Sequence, residues 1–231
     1  MSLERIAFIP DGNRRYARKV GISYAKAYQM GTRKAWDVID WMCEYPKIKA
    51  GTFYTLSLEN LSRSKLELKV LMKIFERELD KVKTKKVFEE QGIKLRFLGR
   101  LGALPNGIQK KIKEVEDYTS EFDEKEVNLA LGYNGRAEIV DAAKKFAEEC
   151  KKGETTLDNL DETSFGEYLY SSNSPDLIVR TSGTQRLSGF LTYQSAYSEF
   201  HFTQKYWPEF EQQDLDTAVH EFDARERRFG K

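Results

Sequence analysis

The chain has 231 residues, with 38 Lys and Arg balanced by 37 Asp and Glu; 40% of the residues are hydrophobic and 13% aromatic. That content supports a substantial core and excludes a disordered chain. No apolar run approaches the roughly 20 residues of a membrane span, and residues 1–6 lack the apolar region of a secretion signal.

In chain order, residues 5–9 form the first apolar strand candidate, stopped by Pro10-Asp-Gly12. The segment between Gly12 and Trp36 holds no acid, yet it contains Arg14, Arg15, Arg18, Lys19, Lys26, Arg33 and Lys34. A basic segment in a neutral chain suggests a focused anion site more than a general polyanion surface. A helix is expected over 25–45, a strand over 50–58 and a long helix over 64–91. An apolar stripe of Leu68, Leu71, Met72, Phe75, Leu79 and Val82 marks that helix. Strands at 94–98, 127–131, 177–179 and 199–202 alternate with helices at 105–118, 136–152 and 214–229. Such alternation predicts a single α/β domain over 1–231, with a central, mostly parallel six-stranded sheet flanked by helices. Cys43 and Cys150 are one distant pair, which predicts neither a disulfide framework nor a Cys-based zinc site. The expected setting is therefore reduced and cytoplasmic.

Binding sites in such folds gather at the carboxyl ends of the strands. The run Pro10-Asp-Gly-Asn-Arg-Arg-Tyr16 directly follows the first strand. Asn13 and Asp11 suit a turn or helix cap, Gly12 permits close backbone approach, and the free N–H groups of a following helix attract anions. Arg14 and Arg15 add bidentate donors. An acid among such donors makes sense if a cation also binds, and a diphosphate with Mg²⁺ accounts for both signs. A turn followed by a solvated cationic helix accounts for the same residues about equally well. The second strand leads into Leu56-Ser-Leu-Glu-Asn-Leu-Ser-Arg63, where Ser62 or Ser64 also suits a helix cap. The fifth leads into Arg180-Thr-Ser-Gly-Thr-Gln-Arg-Leu-Ser188, a second candidate anion loop. Neither G-x-x-x-x-G-K-[ST] nor G-x-G-x-x-G occurs, so nucleotide binding is not supported. His201 and His220 lack a metal-ligand pattern.

Together these runs, with Tyr193-Gln-Ser-Ala-Tyr-Ser-Glu199, Trp207-Pro-Glu-Phe210 and Arg225-Glu-Arg-Arg-Phe-Gly230, resemble the signature regions of the cis-prenyltransferases. These are the undecaprenyl and dehydrodolichyl diphosphate synthases. The resemblance runs from about residue 6 to 230, with the motifs in the family's order, and is archaeal-like. It implies a homodimer that condenses isopentenyl diphosphate onto an allylic diphosphate primer, farnesyl or geranylgeranyl diphosphate. The product would be a long-chain polyprenyl diphosphate, a precursor of glycosyl carrier lipid, housed in an apolar tunnel beside the sheet.

By resemblance, Asp11 and Asn60 are catalytic, and Asp11 with Glu199 serves Mg²⁺. Gly12, Asn13, Arg14, Arg15 and Tyr16 cradle the allylic diphosphate, with Ser57, Leu58, Glu59 and Arg63 adjoining. Arg180, Arg186, Leu187 and Ser188 hold the isopentenyl diphosphate. A neutral amide is a very poor base, so Asn60 is read as orienting substrate or relaying a proton to a diphosphate oxygen. The tail residues Arg227, Arg228 and Gly230 would reach the site of the dimer partner. A lipid product implies transient membrane contact. Arg14 replaces the glycine of the bacterial pattern; Tyr24 and Tyr28 replace Arg and His, Leu61 replaces Trp, and Thr184 replaces Glu. Three alternatives are a non-catalytic partner subunit of the same fold, a nucleic-acid module using residues 14–34, and another phosphate-handling enzyme on an α/β sheet. The near-neutral balance and the motif set speak against nucleic acid.

Overall fold

Six apolar runs pair into one sheet in the computed structural model, which describes residues 2–225. β1 (Arg5–Ile9), β2 (Ala50–Ser57), β3 (Ile93–Leu98), β4 (Lys125–Tyr133), β5 (Leu177–Arg180) and β6 (Glu199–Phe202) stand in the order β3-β4-β2-β1-β5-β6. Every neighbouring pair is parallel, so the expected mostly parallel sheet is entirely parallel. Parallel strands need crossovers that cover both faces. Accordingly β1 buries four of its five residues and β4 seven of its nine, with no polar face left to water.

The crossovers are α1 (Asn13–Val20), α2 (Tyr24–Cys43), α3 (Lys65–Lys81), α4 (Val87–Glu90), α5 (Asn106–Thr119), α6 (Gly135–Lys152) and α7 (Glu162–Gly166). Helix α8 (Gln212–Ala224) follows β6. Caps set several starts. Ser23 Oγ accepts from Lys26 N at 3.2 Å, Ser64 Oγ from Glu67 N at 3.3 Å, and Asn134 Oδ1 from Arg136 N at 2.9 Å. Successive side chains of β1 divide between two cores. Ile6 and Phe8 join the cluster under α2, α3, α5 and α8, while Ala7 and Ile9 join one on the opposite face with Ala130, Ile178 and Phe190.

The helix expected over 64–91 is broken. After Lys81 the chain tightens through Val82–Thr84, Thr84 Oγ1 donates to Lys81 O at 2.8 Å, and Lys85 turns extended. The cause is burial. Val82 and Phe88 are both fully buried, yet on one straight helix they would project about 120° apart. The last expected helix stops at Ala224, and Arg225 is extended. The remaining residues expected in it, with Arg227, Arg228 and Gly230, lie outside the described residues.

Candidate active site

The chain proceeds from β1 outward on one side through β2, while β5 returns on the other. The carboxyl ends of β1 and β5 therefore border the crevice at which a parallel sheet reverses direction. Asp11 leaves β1 there. Its N–H donates to Ile9 O at 2.8 Å and Thr181 Oγ1 at 2.9 Å; its carbonyl accepts from Thr181 Oγ1 at 2.7 Å and Trp207 N at 3.0 Å. Gly12 follows with φ +103°. A side chain there would place Cβ 2.6 Å from Tyr206 Cδ1 and 2.9 Å from Ser182 Cβ, so only glycine fits. Gly12 precedes α1 without a side-chain cap, leaving the first-turn N–H groups available to an anion.

Asp11 Oδ2 accepts from Arg180 Nη2 at 2.8 Å and lies 3.1 Å from Arg15 Nη2. Burial would raise the Asp11 pKa, but the hydrogen bond and charge of Arg180, joined by Arg15, outweigh it and hold the carboxyl below its usual range. Arg15 continues to Ser182 Oγ at 2.5 Å and Ser182 O at 3.2 Å. Arg180, its side chain only 5% exposed, reaches Ser188 Oγ at 2.9 Å and the Arg186 carbonyl, while its Nε has no hydrogen-bond partner. Thus Asp11, Gly12, Arg15, Arg180 and Ser188 converge. Ser182, Ser188 and Leu191 all have positive φ, which concentrates the strained non-glycine backbone of the described residues in this one loop.

The remaining expected residues surround that centre. Arg14 is exposed, its guanidinium 5.1 Å from the Tyr24 ring centre. Tyr16 is half-buried, Arg186 is exposed, and Leu187 packs into the core around Ile9. Asn13 Nδ2 donates to Pro10 O at 3.3 Å, and its buried Oδ1 has no partner. A 3₁₀ turn, Glu59–Ser62, leads away from β2, with Asn60 N donating to Ser57 Oγ at 3.2 Å. Leu58 N donates to Tyr133 O at 2.9 Å, and Glu59 accepts from Asn134 Nδ2 at 2.6 Å. Arg63 binds Glu67 at 3.1 Å and Tyr28 Oη at 2.9 Å. Burial and the Glu67 hydrogen bond push the Tyr28 hydroxyl up to about 12, which keeps it a donor.

Glu199 is not brought to Asp11. It opens β6, level with Leu177 at the start of β5, whereas Asp11 follows the far end of β1. Parallel strands put these positions at opposite ends of the sheet. Glu199 is held instead by Arg225 at 2.9 Å. Among the described residues no group of three His, Cys, Asp or Glu could hold a metal ion.

An apolar cleft, about 970 Å³ with the space open to solvent included, runs from Asn13 and Tyr28 down between α2, α3 and the sheet, beside the charged centre. Leu71, Met72, Phe75 and Leu79 line one side, and Leu129 and Leu131 the sheet side, so the periodic stripe of α3 forms a tunnel wall as well as core. Trp36 Nε1 donates to Glu78 Oε2 at 2.7 Å near the inner end.

A model of the prenyltransferase family, described as "Putative undecaprenyl diphosphate synthase", matches residues 9–230. The chain belongs to the cis-prenyltransferases. It is 42% identical to a tritrans,polycis-undecaprenyl-diphosphate synthase (geranylgeranyl-diphosphate specific) of Pyrobaculum aerophilum, covering 98% of this chain and 95% of that protein. The counterpart from Methanopyrus kandleri is also 42% identical, over 99% of this chain and 84% of that one. The crystal structure of lavandulyl diphosphate synthase from Lavandula x intermedia, in complex with dimethylallyl diphosphate, has a TM-score of 0.94 at 33% identity, covering 99% and 98% of the two chains. This family of enzymes uses isopentenyl diphosphate and allylic diphosphates.

Three supports of this site make contacts that no local pattern reveals, although Thr181 and Trp207 lie within the quoted runs. Thr181 clamps both polar groups of the Asp11 backbone; Trp207 donates through its ring N–H to Gly31 O at 2.7 Å and through its backbone to Asp11; Glu67 ties Arg63 to Tyr28. A side chain at Gly31 would place Cβ 2.3 Å from Asn13 Oδ1, which lets α2 approach the loop.

Proposed function

We propose that this protein is a cis-polyprenyl diphosphate synthase, adding isopentenyl units sequentially to an allylic primer and making a long-chain precursor of a glycosyl carrier lipid. One observation carries the reading: a two-arginine cradle around Asp11 lies beside an apolar cleft whose lining begins at its chain neighbours Pro10 and Asn13. A diphosphate needs the first and a growing hydrocarbon the second. Geranylgeranyl diphosphate is the favoured primer, supported by the names of the archaeal relatives; farnesyl diphosphate is the alternative.

The N–H groups of α1 with Arg14 and Arg15 stabilise negative charge developing on the leaving diphosphate. Arg180, freed from Asp11, and Arg186 with Ser188 hold the second diphosphate in line, which supplies an entropic advantage. The isopentenyl double bond attacks the allylic carbon, the carbon–oxygen bond breaks, and the C2 proton leaves to a diphosphate oxygen, with Asn60 orienting the substrate. Asp11 is the residue that fits Mg²⁺. A single carboxylate beside an anion cradle is the donor set expected of an ion otherwise held by phosphate oxygens and water. Such an ion would neutralise the leaving diphosphate. Glu199 and the tail would act within a homodimer, and the protein would work in the cytoplasm, peripheral to the membrane. No helix of the described residues is long and apolar enough to cross one.

The test is incorporation of radiolabelled isopentenyl diphosphate into butanol-extractable product by the purified chain, with each primer in turn and with Mg²⁺ or chelator. Mg²⁺-dependent polyprenyl product from geranylgeranyl diphosphate is the expected result. Activity only after addition of a second protein would replace this reading with that of a non-catalytic partner subunit.

A further inference from the structure

The outer surface beside the cleft has a composition that catalysis does not use. Lys65, Lys69 and Lys73 are exposed and form one row of α3, spaced four residues apart. Leu66 is 76% exposed and lies within roughly 20° of Lys73 around the helix axis. The acids of α3 are directed elsewhere. Glu67 turns to Tyr28 and Arg63 and Glu78 to Trp36, while Glu76 and Asp80 accompany Lys111 near the other end of α3. The start of α3 is tied by those Tyr28 contacts to the acid-free segment between Gly12 and Trp36. There Tyr24, 37% exposed, stands one turn before Tyr28 on the same side of α2. Lys65, Leu66 and Tyr24 thus stand at the Tyr28 end of the cleft, with Lys69 and Lys73 following along the outer face of α3.

We propose that this surface, the outer face of the first half of α3 with the adjoining start of α2, docks the protein on an anionic lipid bilayer with the cleft mouth beside the membrane. The inference rests on the reading that the cleft holds a polyprenyl chain. Basic side chains gather at the negative headgroups while a leucine and a tyrosine enter the interfacial layer. The same cations would attract nucleic acid, but the aliphatic Leu66 at the edge of the row offers bases nothing to stack on. A bilayer also gives the apolar substrate and product a direct path between cleft and membrane.

Flotation of the full chain with vesicles tests this at roughly 0.1 M salt, where screening still leaves the attraction a reach of about 10 Å. Binding to phosphatidylglycerol–phosphatidylcholine vesicles, weak binding to phosphatidylcholine alone and release by high salt are expected. Each lysine lost should lower partition about fivefold, so Lys69→Glu with Lys73→Glu should lower it roughly 25-fold or more, and Leu66→Asp should lower it further. Prenyl transfer to a primer held in detergent should stay at the parent rate in these variants, which also reports intact folding. Equal binding to neutral vesicles, or parent-like binding by the reversed variant, would overturn the proposal. So would tighter binding to single-stranded RNA that the same reversals abolish. Vesicle binding without any prenyl transfer would instead sink the enzymatic reading, and transfer without vesicle binding would sink only the docking surface.

Discussion

The charged centre and the apolar cleft lie side by side but are built on opposite principles. Around Asp11 nearly every polar group is fixed by another: Thr181 clamps its backbone, Arg180 and Arg15 its carboxylate, and Ser182 the second arginine. The backbone strain of the described residues gathers in the same place. The cleft wall is looser. Leu71, Met72 and Phe75 are only partly buried, and α2 is joined to α3 by two polar contacts, Tyr28–Glu67 and Trp36–Glu78. Positioning an ionised group demands a stiff, pre-arranged setting. Accommodating a hydrocarbon that lengthens demands volume and tolerance instead.

The largest effect should come from the stiff side. Asp11→Asn preserves shape and an acceptor for Arg180 but removes the charge. Turnover should fall by about 10³-fold or more, with an unchanged circular dichroism spectrum; a variant within tenfold of the parent would break the contrast. Next is Gly12→Ala against Gly153→Ala. Both glycines have positive φ, but nothing lies within 4 Å of a Cβ at Gly153, whereas Gly12 faces Tyr206 and Ser182. Gly153→Ala should cost about 1 kcal/mol and Gly12→Ala roughly 2–4 kcal/mol in denaturant unfolding. Equal losses would mean that the Asp11 loop yields after all.

Much of the stiff region was legible in sequence because its charges lie in short runs behind strands, and a run of β-branched and aromatic residues names its strand. Residues 10–16 and 180–188 needed only a parallel sheet to bring them together. The place of Glu199 was not legible in the same way: sequence proximity to a strand does not reveal which end of the sheet a residue occupies. The loose region was legible as periodicity alone. Its polar ties join residues 39 and 42 positions apart on two helices, and the break after Lys81 follows from burying Val82 and Phe88 together. Neither is encoded in a local pattern.

The cleft should tolerate truncation better than the core. Leu71 already borders empty space, so Leu71→Ala should cost less than about 2 kcal/mol, whereas Phe8→Ala, fully buried and stacked on Phe53 at 4.9 Å, should cost about 3–5 kcal/mol. Chromatography of extracted polyprenols should show longer products from Leu71→Ala, since the wall then leaves more room. An unchanged product distribution would place the limiting residues elsewhere on the wall.

The smallest effect expected is that of Tyr28→Phe, and it tests whether the two regions are coupled. The change removes the hydroxyl that donates to Glu67 and accepts from Arg63, but Arg63 still holds Glu67 at 3.1 Å. One hydrogen bond is worth about 1 kcal/mol, a Tm decrease of roughly 2–4 °C for a chain of this length. Folding raises the tyrosine pKa from 10.0 to about 12, so this contribution is fully present below the unfolded value. It fades as pH rises through that window, because the unfolded chain then releases the proton first. The stability gap between the parent and Tyr28→Phe should therefore be flat through neutrality and narrow from about pH 10 toward 12. If the α2–α3 contact serves only to hold the wall, the KM for the allylic primer should not move. A primer KM raised severalfold with kcat unchanged would show that the wall and the diphosphate cradle share Arg63, and that the loose region begins deeper in the cleft than Tyr28.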